Sequence, residues 1–478
     1  MTITFNYILR RSGRQLVRSM KPSSSNGHSY EHWTNQELIA RLVDLDDRIR
    51  TKYPNAKDTE PILPAVTSQK PFNFSAHPVR KIAFKLCYTG SEYSGLQFQK
   101  TPTPLPTVEE ILFQALAKTK LVDPDKGFDG CGWERSGRTD RGVSAAGQVV
   151  SLWIRSAAEG QQPSTHQKSE FNYIRILNGV LPPTIRIIAW SPVASPFSAR
   201  YNCRQRHYKY FFSSGGLDLS LMRDGAQRLI GEHDFRNLCT LDPAKQITNF
   251  HRRILRADIS PLAGQEDLCV LDLVGTAFLY HQVRHIMAIL FLIGTGLEHP
   301  SVISSLLNVN PMKLASLTTK EDDPPLEVVD RKPEYLIADG LPLMLWDSGY
   351  AESDVQWRTA ADDDAREERQ NAGSDLYDQL HAIHDRSTIH TVLDAHFFSA
   401  VAVYHPGAPP YFPRSQSQVE LPHVVRIPLG GGIYRRQNYK PLLRIKRLDT
   451  VEEANARWMA GPGGRKEERR RLNAEGDE

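Results

Sequence analysis

Between Lys81 and Gly294 the chain changes its hydrophobic period repeatedly. Ile82, Phe84, Leu86 and Tyr88 alternate with Lys81, Ala83, Lys85 and Cys87, the pattern of a half-buried strand. Thr107 and Glu110 then make a capping box for a helix with Ile111, Leu112, Ala115 and Leu116 on one side. Gln148–Ile154 returns to period two, and Phe171–Val180 reads as a helix closed by Leu181-Pro182-Pro183. Arg206, Tyr208, Tyr210 and Phe212 alternate with His207, Lys209 and Phe211, and Leu217–Ile230 is an amphipathic stripe. Strands at Ile254–Ile259 and Cys269–Val274 precede a strongly apolar helix that ends at Gly294. Strands separated by capped helices, without a regular crossover repeat, predict an α+β protein with a mostly antiparallel sheet.

One turn carries an unusual concentration of chemistry. Ser136–Val150 holds Asp140 between Arg138 and Arg141, with Gly137, Gly142 and Gly147 available for positive φ or a close backbone approach. An arginine near an aspartate favours its ionised form, so Asp140 is expected to stay charged when half-buried. Such a carboxylate suits a nucleophile or base beside a nucleic acid, because the same cations attract phosphate. The same residues also suit a solvated turn with a surface ion pair, and the rest of the chain has to decide.

At 478 residues, 40% apolar and 24% charged, the chain has the composition of a soluble globular protein. Its longest apolar run, Ile286–Ile293, is too short to span a bilayer, so no membrane role is expected. Five widely spaced cysteines without a CxxC pair suit neither a zinc site nor a disulfide framework, and each is expected to be a small buried side chain. The net charge is only +4, so the clustering of cations matters more than their sum. Arg200, Arg204, Arg206 and Lys209 form one acid-free group; Arg435, Arg436, Lys440, Arg444, Lys446 and Arg447, with Tyr434 and Tyr439, form another. The second suits an RNA-tracking surface or a solubilising face equally well.

Residues 1–30 are a basic, acid-free, flexible leader with the composition of a mitochondrial transit peptide or of an arm that touches RNA. Residues 31–79 hold a helix bearing Leu38, Leu42, Leu45 and Ile49, then a proline-rich linker. Residues 80–204 form one half with the Asp140 loop and 205–350 a second half; 351–375 is an acidic insertion, and 376–478 a helical extension with a basic C-terminal tail.

Read in order, several stretches resemble the TruA type of tRNA pseudouridine synthase: Tyr88–Gln97, Gly137–Val150, Phe197-Ser198-Ala199-Arg200, Arg206–Tyr210 and Phe278–Arg284, with Leu336–Trp346 similar to the family's closing strand. The likeness covers residues 80–350. Gly231–Cys239, Leu181–Arg186 and Tyr280–Arg284 resemble the eukaryotic branch that modifies positions 38 and 39 of the tRNA anticodon stem-loop. Gly95-Leu96-Gln97 and Arg141 depart from the bacterial pattern, which has Gly-Trp-Gln and a small residue there.

The resemblance implies two ferredoxin-like (RRM-like) halves that form a continuous sheet, with helices on one side and a central basic cleft. It implies an isomerase that turns uridine into pseudouridine without cofactor or metal. By the same likeness Asp140 is the essential carboxylate, Arg284 its arginine partner and Tyr208 the ring that stacks on the uracil. Arg138, Arg141, Arg200 and Lys209 are candidate phosphate contacts, and Phe278 a pocket wall. His281 and His285, flanking Arg284, are expected to be hydrogen-bonded structural residues. The expected partner is tRNA, with the chain a homodimer in nucleus and cytoplasm and a mitochondrial fraction open to the leader. Two other readings are a related branch with broader tRNA or other RNA targets, and a non-catalytic tRNA-binding protein of the same fold.

Overall fold

A computed structural model of the chain describes residues 72–157, 170–310, 317, 319–359, 374–405, 423–428, 432–461, 463–465 and 469. The leader, the Leu38 helix and the acidic block at Asp362–Glu368 lie outside these residues. The described residues fall in one unit, Phe72–Glu478.

Its centre is a nine-stranded sheet in the order β4-β1-β3-β9-β5-β8-β7-β6, with β2 beside β3. The strands are β1 (Val79–Tyr88), β2 (Glu134–Arg135), β3 (Ser144–Arg155), β4 (Ile185–Pro192), β5 (Gln205–Ser213), β6 (Gly231–Asp234), β7 (His251–Leu262), β8 (Gln265–Gly275) and β9 (Leu343–Gly349). Among the described residues only β3 and β9 pair in parallel, Ser144 opposite Met344 and Ala145 opposite Leu345. All other neighbours in the sheet are antiparallel.

The period-two reading located β1, β3, β5, β7 and β8 and underestimated their length, and it missed β2, β4 and β6, the last lying where a helix was expected to close. The two predicted between residues 254 and 274 are one long hairpin, β7 and β8, joined at Leu262–Gln265. The predicted closing strand begins later than expected, at Leu343 rather than Leu336. β1 was expected to be half-buried, yet Ala83 is as buried as Phe84. A second small cluster of Ala83, Val149, Phe197, Ala199 and Val355 covers the other sheet face. Part of the predicted insertion supplies that cover: Gln356 N–H donates to Ser191 Oγ, and Arg358 pairs with Trp190.

The helices follow their signals. In α1 (Val108–Lys118), Thr107 Oγ1 accepts from Glu110 N–H and Glu110 Oε2 accepts from Thr107 N–H, so the predicted capping box forms. Next come α2 (Tyr173–Asn178) and α3 (Leu219–Gln227), each a few residues shorter than its apolar pattern. The helix α4 (Gln282–Gly294) is buried on every side, with Arg284 its exception, as an all-round apolar helix must be. The short α5 (Ser301–Leu307) is also buried. The helix α6 (Ser374–Tyr404) is largely exposed, including Phe397, Phe398 and Tyr404. Among the described residues no helix is long and apolar enough to cross a membrane.

The C-terminal basic segment turns inward. β10 (Val424–Arg426) and β11 (Ile433–Arg435) form a hairpin, followed by α7 (Val451–Ala460). Arg436 donates to the carbonyls of Thr295 and Gly296, Arg444 pairs with Glu327, Lys446 with Glu334 and Arg447 with Asp330. Tyr439 Oη and Leu442 N–H both donate to Glu298 Oε1. Arg436 ties the segment to the core beyond α4, while Arg435, Lys440, Arg444 and Lys446 remain exposed.

Candidate functional site

The Asp140 loop ends where β3 meets β9, at the parallel junction. Gly142 takes φ +82°, a conformation that strains any residue with a Cβ, and a Cβ on Gly147 would collide with the Trp346 carbonyl. Gly137 shows neither need. The loop is tied down from both sides. Ser136 Oγ donates to Gln148 Oε1 and lies 2.9 Å from Ser348 Oγ on β9. Gln148 Nε2 donates to the Gly137 carbonyl, and Thr139 Oγ1 is 2.6 Å from Tyr88 Oη.

Arg206, at the start of β5, is the main clamp. Its Nη1 donates to the carbonyls of Thr276 (2.7 Å) and Cys203 (3.2 Å), and its Nη2 to those of Ser136 (2.8 Å) and Arg200 (3.1 Å). One guanidinium fork thus joins the Asp140 loop to the end of β8 and to the turn before β5.

Asp140 is half-buried, with 26% of its side chain exposed. Burial raises its carboxyl above the ordinary aspartate range, while Arg284, Arg138 and Lys245, in that order, pull it down. Burial therefore outweighs the cations, where the sequence reading expected nearby arginines to favour the ionised form. Arg141, next in the chain, is exposed. The nearest charged or titratable contact is a histidine: His281 Nε2 lies 3.4 Å from Asp140 Oδ2.

Arg284 emerges from the first turn of α4. Its Nε donates to the Ala338 carbonyl at 2.8 Å, and its own carbonyl accepts from Ala338 N–H. It acts on Asp140 across space. The segment that leads into β9 passes close to both: a Cβ on Gly340 would lie 3.2 Å from the Arg141 carbonyl and 3.8 Å from Arg284 Cζ.

Tyr208, on β5 opposite Leu345 and Leu273, is 9% exposed. Phe278 stands edge-on to it, ring centroids 5.0 Å apart. Burial first, and then the Asp140 charge among its neighbours, hold the Tyr208 phenol in its neutral form, above the ordinary tyrosine range. Arg138 is exposed and reaches Gln97 Oε1; Arg200 is exposed over the Tyr201 ring. Lys209 is on the other sheet face, because successive strand residues alternate. There it pairs with Asp272 at 3.4 Å and lies over the Trp346 ring.

The fold thus brings together Asp140, Arg284, Arg138, Tyr208 and Phe278, and adds three residues that the sequence reading did not assign to the site. Lys245 sits 4.3 Å above the Tyr280 ring, and Tyr280 stacks on His281 at 3.7 Å. Thr240 receives His281 from below. No local pattern marks Thr240 or Lys245, since each is defined by what packs across from it, and Tyr280 stood out only as one member of the Phe278–Arg284 stretch.

A half-buried carboxylate on a loop at a strand junction, with Arg284, Arg138 and Lys245 acting on it and a tyrosine beside it, is the kind of centre that suits chemistry on a nucleotide. The family model described as tRNA pseudouridine synthase matches residues 226–350, a span that contains Phe278 and Arg284. The chain belongs to that family, the TruA type of tRNA pseudouridine synthase. It is 38% identical over 372 residues to the tRNA pseudouridine(38/39) synthase of Saccharomyces cerevisiae, covering 73% of this chain and 80% of the yeast protein. It is 40% identical over 352 residues to the Homo sapiens protein of the same name, covering 67% of each. Similarity extends to the tRNA pseudouridine synthase A of Methanosarcina mazei, 34% identical over 229 residues, 48% of this chain and 76% of the archaeal one.

Proposed function

We propose that this chain isomerises uridine to pseudouridine at positions 38 and 39, in the anticodon stem-loop of tRNA. The observation that carries the reading is the setting of Asp140: a half-buried carboxylate at the junction of two strands, among Arg284, Arg138 and Lys245. The reaction breaks the N-glycosidic bond, turns the uracil and rejoins it to the ribose through C5. It is an isomerisation, and every atom of the substrate is kept. Asp140 either attacks C1′ or takes the proton from C2′, and both roles need an ionised, partly desolvated carboxylate. Burial makes this carboxylate more basic than an exposed one, while the cations keep the charged form accessible at neutral pH.

Tyr208 and Phe278 form the aromatic wall against which a base flipped from its stack would rest. Arg138, Arg141 and Arg200 are exposed and free to meet phosphates, and Lys209 would meet them only along the other sheet face. We read residues 80–204 and 205–350 as two ferredoxin-like halves that meet at the β3–β9 pair, with a basic cleft above it. We further propose a homodimer in which one tRNA touches both subunits, working in nucleus and cytoplasm.

The test is tritium release from tRNA labelled at uracil C5, because C5 loses its hydrogen only on becoming the glycosidic carbon. Wild type is expected to release tritium, Asp140→Ala to release none while binding tRNA within a few-fold, and replacement of the uridines at 38 and 39 to abolish the signal. Tight binding without release from any tRNA would overturn the enzymatic reading in favour of a tRNA-binding protein.

A further inference from the structure

From the Asp140 carboxylate a line of polar side chains leads into the core. His281 Nε2 faces Asp140 Oδ2 at 3.4 Å, and His281 Nδ1 is 2.9 Å from Thr240 Oγ1. Thr240 Oγ1 is 3.1 Å from His285 Nε2, which is 3.2 Å from Lys332 Nζ. Lys332 donates in turn to the Cys239 carbonyl. The residues come from the Asp140 loop, the start of α4, the turn after Leu238 and the segment after α5.

Packing alone does not explain this arrangement. Lys332 is 6% exposed and His285 2%, and among the described residues Lys332 contacts no carboxylate. A lysine so deep without an acidic partner is rare and costs stability that an apolar side chain would not. His281 is one of three non-glycine residues at positive φ among those described, at +60°, and it begins α4 without a side-chain cap. Its ring is held flat against Tyr280. A backbone kept in that region is worth its strain where a side chain must be aimed.

The partners determine the proton positions. An ionised Asp140 can only accept, so His281 carries its ring proton on Nε2, the nitrogen that faces the carboxylate, and Nδ1 is an acceptor. Thr240 then gives its single hydroxyl proton to His281 Nδ1. The opposite tautomer would set a lone pair against a carboxylate oxygen.

We propose that His281 is a positioning residue for Asp140: Thr240 holds its Nε2–H tautomer, so that one carboxylate oxygen is engaged and the other is left for the ribose. The proposal rests on the reading of Asp140 as the reacting carboxylate. A separation of 3.4 Å is long for a hydrogen bond, as such contacts commonly are before substrate arrives, and a small rotation closes it. Burial, and then Arg284, Lys245 and Lys332, hold the His281 imidazole down to about 4. Near neutral pH it is therefore a neutral donor and not a counter-ion. His285 lies lower still, at about 2, and burial brings Lys332 down to about 8. The other groups that face this line are Arg138 on the Asp140 loop, Tyr208 on β5, Tyr280 on the His281 ring, and Cys239 and Tyr335 around Lys332.

The experiment is Thr240→Val in the full chain, which removes one hydroxyl and keeps the shape, with tritium release measured against pH. Release by the wild type is the control for the reaction itself; its absence would sink the enzymatic reading, a separate outcome. Given that control, Thr240→Val is expected to lower kcat about tenfold, less than the hundredfold or more of losing an acid–base group outright, because Asp140 itself stays in place. KM and tRNA affinity stay within about twofold, as for an interaction that matters only in the transition state. The acid limb of kcat moves to higher pH, because Asp140 loses a donor that favours its ionised form. Thr240→Ser is expected to restore both. An unchanged kcat and limb would overturn the proposal, as would a loss of activity that matches the loss of affinity and that serine does not rescue. Should Thr240→Val fold poorly, His281→Gln carries the test. Its amide N–H can face Asp140 without help from Thr240, so its acid limb stays at the wild-type pH, and a displaced limb refutes the proposal.

Discussion

Arg206 does not enter the chemistry proposed for Asp140, yet its replacement should disable the enzyme. In Arg206→Met the side chain keeps its length and loses its donors. Two of the lost bonds, to Thr276 and Ser136, are short and partly buried; those to Cys203 and Arg200 are longer, and the last is exposed. A hydrogen bond from a charged donor contributes about 1.5–3 kcal/mol, and bonds that share one guanidinium do not add fully. We therefore expect a loss of about 3 kcal/mol, with most of it from the two short bonds. At about 1.2 °C per kcal/mol for a unit of about 400 residues, the melting temperature should fall by about 3–4 °C. The freed Ser136 carbonyl lets the loop that carries Asp140 shift, and a displacement of about 1 Å at a reacting group costs about a hundredfold in rate. Arg206→Lys should fall between the two, since an ammonium keeps the charge but cannot span the fork. Differential scanning fluorimetry and single-turnover tritium release measure both quantities. A melting shift under about 2 °C, or single-turnover activity within about twofold of wild type, would refute the clamp, because neither fits the loss of two partly buried charged hydrogen bonds.

Asp140→Asn should abolish tritium release and, at pH 7, raise the melting temperature. The folded carboxyl sits above its ordinary value, so the ionised form is disfavoured by folding; that penalty is absent below the ordinary value of 3.8 and grows as pH rises through the folded value. The stability gap between variant and wild type should therefore close as pH falls below 3.8, and a gap independent of pH would contradict the raised pKa. Arg138→Ala should reduce the slope of log affinity for tRNA against log salt by about one, while Arg444→Ala should leave it unchanged, because Arg444 is engaged by Glu327. Equal slopes for the two variants would mean that the C-terminal cations meet RNA after all.

What could be read along the chain and what could not follow from the range of each signal. The alternation of Ile82, Phe84, Leu86 and Tyr88, and the Thr107–Glu110 box, are local patterns that arise from side-chain periodicity and backbone capping within a few residues. They announced β1 and α1 directly. The glycine-rich turn around Asp140 was equally legible, since the chain itself carries both the backbone freedom and the charged side chains. Strand ends were less so: β7 and β8 run past their apolar cores because pairing across a hairpin sustains polar residues that propensity would leave out.

Residues 435–447 show the limit of composition. Their charge was plain, but whether cations meet RNA or Glu327, Glu334 and Asp330 depends on where the chain folds back. The surroundings of Asp140 show it again. Arg284 and Tyr208 were named through resemblance, while Thr240 and Lys245 had no mark of their own. The sequence by itself determined the periodic elements and the reactive loop, because both are written within a few residues. Only the tertiary structure decided which carboxylate is desolvated, which histidine faces it and which basic residues are already occupied. Those are properties of distances between residues 140, 240, 281 and 332, which the chain brings together through a shared core and not through proximity in sequence.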